Sequence, residues 1–96
     1  MTEFHGSYRA PHDSRPRITV DCPHSAMRTL LANFGLIAID FAVGESGHER
    51  VVLKISKPGT FTFPEVVKAG TPISVRPSLD NPSGVEMRMN IKWDKP

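Results

Sequence analysis

The chain has 96 residues, with 12 Lys plus Arg against 10 Asp plus Glu, 39% hydrophobic residues and one cysteine. A chain of this length forms one domain and removes only about 60 to 70% of its unfolded surface from water, so its core is thin. No apolar run reaches the roughly 18 to 20 residues of a spanning helix, a single cysteine cannot close an internal disulfide, and a formal charge of +2 is too small to imply a polyanionic partner by itself.

Residues 1–16 read as an extended N-terminal arm. Gly6, Pro11 and Pro16 interrupt them, and Met1, Phe4 and Tyr8 are scattered among charges with a period of neither 2 nor 3.6. The opening MTEFHGSYRAPHDSRPR has no apolar segment after its first charges. That is the pattern of neither a secretion signal nor a lipid anchor, and the expected setting is a reducing cytoplasm. A segment so polar and proline-rich does not fold alone, and holding it in place calls for a neighbouring subunit. Residues 17–96 read as a single β-rich domain. From Arg17 the pattern alternates, with Ile18, Val20 and Cys22 on one face and Arg17, Thr19 and Asp21 on the other, as a half-buried strand requires. Pro23 ends it.

Met27, Leu30, Leu31 and Phe34 fall at i, i+3, i+4 and i+7, which predicts a short helix over 25–34. Ser25 is the expected N-cap and Gly35 the stop, although Arg28 leaves the capping box incomplete. Residues 36–43 return to period 2 with Ile37, Ile39, Phe41 and Val43 on one face. The stretch GESGHE at 44–49 then predicts a hairpin loop back into 50–56, where Val51, Leu53 and Ile55 point inward. Lys57, Pro58 and Gly59 form a tight turn, a strand runs over 60–63, and 65–70 crosses over. Residues 71–76 offer Ile73 and Val75 as the next inward pair. PSLDNPSG at 77–84 predicts a loop. In the last strand Val85, Met87, Met89, Ile91 and Trp93 alternate with Glu86, Arg88, Asn90, Lys92 and Asp94. The chain is therefore expected to be mainly β, a small sandwich or partly open barrel of about six strands with one short helix.

The sequence holds no catalytic motif. Cys22 and His24, beside Asp21 and with His5 and His12 in the arm, form the nearest approach to a metal site or a Cys/His nucleophile. A structural zinc site needs four ligands in paired spacing and a catalytic one three, so Cys22 reads as the inward residue ending a strand and His24 as a turn residue. No metal or other cofactor is expected, and no enzymatic activity. Asp40 becomes a candidate only if its face is buried, which would raise its pKa; otherwise it faces solvent between Ala38 and Ala42. Gly44, Gly47 and Gly59 follow no phosphate-loop pattern.

Binding is the function that remains. In the arm, Phe4, Tyr8, Arg9, Arg15 and Arg17 are the expected partner-binding residues, because aromatic anchors flanked by guanidiniums are what a partner's groove accepts. Arg88 and Lys92 share the wet face of the last strand as a second candidate interface. Basic side chains beside an aromatic also fit single-stranded nucleic acid on a small β platform, but Glu86 and Asp94 accompany Arg88 and Lys92, and Glu3 and Asp13 sit in the arm. The expected partners are other copies of the chain or a larger protein lattice, with nucleic acid the alternative and no membrane.

Residues 35–75 resemble the corresponding region of the lambda-type phage head decoration proteins. The likeness is carried by GLIAI, a polar loop, LKISKPGTFTFPEVV and AGTPISV, which match that family's hydrophobic strand, its strand leading into a Gly-Thr-Phe turn and its late Ala-Gly-Thr strand. The family ends near that last strand, whereas this chain continues into residues 85–93. The resemblance implies a small β-rich domain that trimerises on a capsid through an ordered N-terminal arm, located in the virion and with no catalytic residue.

Overall fold

The computed structural model describes residues 6–77 and 86–96. Seven strands and one helix occur among them: β1 Gly6–Arg9, β2 Arg15–Asp21, α1 Ser25–Phe34, β3 Ile39–Val43, β4 Arg50–Ile55, β5 Gly59–Thr62, β6 Pro72–Pro77 and β7 Arg88–Asp94. They form a four-stranded sheet in the order β1-β6-β3-β4 and a three-stranded sheet in the order β5-β2-β7. Every pairing is antiparallel. The molecule measures 38 × 27 × 18 Å, and the shortest dimension accommodates two sheets about 10 Å apart with their outer side chains. The fold is mainly β and a sandwich, as the alternating strands predicted.

The core lies between the sheets. Ile18, Val20 and Cys22 come from the β2 side, Ile37, Ile39, Phe41 and Val43 from the segment through β3, and Ile73 and Val75 from β6, all buried. Phe41 and Phe63 meet across the layers edge to face, with centroids 6.1 Å apart at 76°, a geometry in which the positive ring edge of one meets the negative face of the other.

Four local differences from the sequence reading have physical causes. The extended N-terminal segment is stitched into the sandwich from Gly6 onward. β1 pairs with β6, β2 begins at Arg15, and Ala10, Ser14 and Pro16 are buried. Between these strands the chain runs beside residues 67–71: Ser14 N–H donates to Val67 O at 2.9 Å and Val67 N–H to Ser14 O at 2.7 Å. Backbone pairing of this kind needs no apolar period, which is why the composition of residues 1–16 did not announce it.

The second difference is a bulge. Phe41 pairs with Leu53 but Ala42 with Val51, so Val52 is the extra residue. Beyond it the parity of β4 flips, as a one-residue insertion must. Ile55 stays buried while Val51, expected inward, is exposed. The third is at α1, whose N-cap is His24 rather than Ser25, with no side-chain cap bond. Gly35 closes the helix as expected, left-handed at φ 58 and ψ 44, with its N–H donating to Leu31 O at 3.0 Å. Only Leu31 of the predicted face is buried. The fourth is at the last strand, where Met87, just ahead of β7, is buried but Met89, Ile91 and Trp93 within it are half-buried, because β7 is an outer strand of its sheet and its inner face overhangs the core. Val85 lies outside the described residues.

Candidate functional site

The three-stranded sheet turns its odd-numbered β2 residues outward, since Ile18 and Val20 between them are buried. Register then fixes the rest of that face. Arg17 lies between Lys92 and Thr62, Thr19 between Asn90 and Thr60, Asp21 opposite Arg88, and Arg15 opposite Asp94. Arg15, Arg17, Arg88 and Lys92, which fall in two distant groups in the sequence, are thus gathered on one face. Acids are interleaved with them. Arg17 Nε is 3.1 Å from Asp94 Oδ2, Arg28 of α1 is 3.3 Å from Asp21 Oδ1, and Arg88 is 3.5 Å from Glu86 Oε1. Among the described residues Arg15 and Lys92 form no ion pair. Arg15 Nη1 donates instead to Phe63 O at 3.5 Å.

Tyr8 and Arg9 lie elsewhere. β1 is the outer strand of the other sheet, and Tyr8, opposite the buried Ile73, points to the inner face at the open rim, where it remains 36% exposed. Arg9 points outward. Phe4 lies outside the described residues. The expected binding set Phe4, Tyr8, Arg9, Arg15 and Arg17 is therefore divided between two sheets from Tyr8 onward.

Arg9 belongs to a feature that the sequence reading missed, a polar groove of about 360 Å³ on the outer face of the four-stranded sheet. Ser7, Ser74 and Arg76 form its floor, and the loop at 44–49 overhangs it with Glu45 and Glu49. The loop is tied down by Gly44, whose N–H donates to Pro72 O at 3.1 Å. A side chain at Gly44 would need φ +127 and would meet His48 O at 2.8 Å, so only glycine fits.

Glu49 accepts the Gly47 N–H at 3.0 Å and faces Arg76 Nη2 at 3.0 Å; these two, the backbone bond foremost, hold its carboxyl below the ordinary range. Arg9 donates to Gly70 O at 2.8 Å and stands 3.9 Å from Glu45. Both guanidiniums thus have a carboxylate nearby, so the groove has no net charge with which to attract an ion. The outward alternation of Ser74 and Arg76 was legible in sequence, but the direction in which the hairpin loop folds was not.

The Cys22 thiol is buried and points at the backbone carbonyl of His24, 3.6 Å from Sγ. The His24 imidazole is 70% exposed and 3.7 Å from Glu86. Thiol and imidazole thus have different partners, and among the described residues no base is placed against Cys22; His5 lies outside them. Asp40 is half-buried on the outer face, opposite Lys54 and Arg76. No three His, Cys, Asp or Glu side chains converge among the described residues, and no helix there is long and apolar enough to cross a membrane.

An apolar patch remains at the C-terminal end of α1. Leu30, Phe34 and Leu36 are 46%, 67% and 47% exposed, three large hydrophobic side chains within seven residues and adjacent to the left-handed stop at Gly35. Single exposed hydrophobics are ordinary, whereas a grouped set is a candidate interaction surface. Comparison with protein-family models, curated proteins and solved structures finds no match to this chain.

Proposed function

We propose that the protein is a non-enzymatic assembly subunit that binds other copies of itself or a larger protein lattice. The observation that carries this reading is the apolar end of α1, where a stripe of helical period buries only Leu31 and presents Leu30 and Phe34, with Leu36 beside them, to solvent. A thin-cored chain gains nothing in its own fold from such a patch, but each side chain, already partly covered, contributes on the order of 1 kcal/mol when a partner covers the rest. The family resemblance of residues 35–75 supplies the setting, a small virion subunit of the head-decoration kind, to which Tyr8 and Arg9 at the rim of the four-stranded sheet would contribute contacts. Static light scattering tests the reading. The chain scatters as an oligomer, and Leu30→Ser with Phe34→Ser lowers its mass toward the monomer with melting unchanged. A monomeric mass for both proteins at high concentration overturns binding to other copies of the chain.

The gathering of Arg15, Arg17, Arg88 and Lys92 on one sheet face favours a second reading, a platform for single-stranded nucleic acid. Binding would then weaken steeply with salt, and Arg15→Ala or Lys92→Ala would each lower the slope by about one. A salt-independent anisotropy signal with an oligonucleotide dismisses it.

A further inference from the structure

β7 is the one long, regular strand edge that the described residues leave open. β1 and β5 have four residues each, and β4 carries the bulge, a device that blunts an edge against pairing. β7 has seven residues in unbroken register with β2 on one side and no strand on the other. Its inward side chains Met89, Ile91 and Trp93 are only half covered.

The sequence of β7, RMNIKWD, is complementary to itself when read backwards. Antiparallel partners share a face, so two copies can pair only in registers whose residue numbers have an even sum. Centred on Ile91, the pairing sets Arg88 of one copy against Asp94 of the other at both ends, Met89 against Trp93, Asn90 against Lys92 and Ile91 against Ile91. The neighbouring registers are excluded by charge. Centred on Asn90, Arg88 faces Lys92 twice; centred on Lys92, that lysine faces its own copy. Directly opposed like charges destabilise a strand pair.

We infer that a second copy of this chain docks on β7, forming a two-fold dimer in which two three-stranded sheets join into one of six strands. The inference rests on the assembly reading above only in taking a second copy of this chain as the partner; it places the contact on the β7 edge instead of the apolar end of α1. The pairing satisfies the free backbone groups of both edges and brings the overhanging Met89 and Trp93 together, a sulfur–aromatic contact made twice by symmetry. It leaves Asp94 able to accept from Arg17 of its own copy while also facing the other copy's Arg88.

Sedimentation velocity on charge-reversed chains tests this. The wild-type chain sediments as a dimer, and Arg88→Glu or Asp94→Arg alone weakens dimerisation by on the order of tenfold, because each places two like-charged pairs across the edge. Mixing the Arg88→Glu chain with the Asp94→Arg chain restores the dimer. At one end of the mixed pair the two introduced side chains face each other with opposite charge, and at the other the native Asp94 faces the native Arg88. A chain that had merely misfolded would not recover on mixing. A monomeric wild type, single reversals with no effect, or a mixture that stays monomeric overturns the pairing. An oligomer dissolved by Phe34→Ser but indifferent to Arg88→Glu overturns the β7 dimer and leaves the apolar helix end as the contact. A dimer that survives Phe34→Ser and obeys the mixing rule establishes β7 and removes the helix end.

Discussion

Glu49 and Asp13 fasten two crossings of the chain with the same device, a carboxylate that accepts a backbone N–H beside a cation. Glu49 takes Gly47 N–H and faces Arg76. Asp13 takes Ala69 N–H at 2.8 Å and stands 3.7 Å from Lys68. Both carboxyls are held below their ordinary values of 4.5 and 3.8, in each case chiefly by the backbone bond. A depressed folded-state pKa stabilises the fold above the unfolded value and ceases to do so as pH falls through the folded one. The contribution is therefore complete at neutral pH and fades on acidification below the carboxylate range. Glu49→Gln should lower the melting temperature at about pH 7, with the gap to wild type closing as the pH falls below the ordinary carboxylate range; a gap that is constant with pH would show that the Glu49 charge is immaterial. Neither carboxylate stood out in the sequence, because each is defined by a backbone N–H contributed from a loop, and loop direction leaves no trace in hydrophobic period.

Strand identity was legible where apolar residues alternate against a second layer, and less so where a strand's burial depends on its place in the sheet. Ile37, Ile39, Phe41 and Val43 are all buried as their period implied, since β3 has neighbours on both sides. The same period in β7 overstated its burial, because the strand is an outer one. Met87→Ala should accordingly cost about 2–5 kcal/mol, as for a fully buried methionine, and Met89→Ala roughly half of that or less. Urea titrations of the two variants decide it, and equal losses would place Met89 as deep as Met87. The bulge at Val52 lay beyond sequence reading, because Val51, Leu53 and Ile55 keep period 2 and Arg50–Ile55 carries no glycine; the parity flip shows only once β3 is beside it. α1 presents the converse case, in which the period was right and the burial was not, because a helical stripe reports what could be covered rather than what the same chain covers.

At the scale of the whole molecule, the two-layer architecture was readable from strand spacing and the gathering of basic side chains on one sheet face was not, since Arg15 and Arg17 meet Arg88 and Lys92 only through the β2–β7 pairing. The buried Ala10, Ser14 and Pro16 and the β1–β6 ladder make residues 6–16 part of the fold. Deleting residues 1–16 should therefore cost more than about 4 kcal/mol, most of the stability of a thin-cored domain, and far-ultraviolet circular dichroism should show an unfolded chain. A cooperative β spectrum with unchanged melting would return the segment to the status of a detachable arm. The chain passes between the two sheets five times, with only β3 and β4 following one another in the same layer. During synthesis this order matters. β2 is made early and acquires its last neighbour only when Asp94 has left the ribosome, so a nascent chain that stops short of β7 carries a central strand with one side open, an edge free to pair elsewhere.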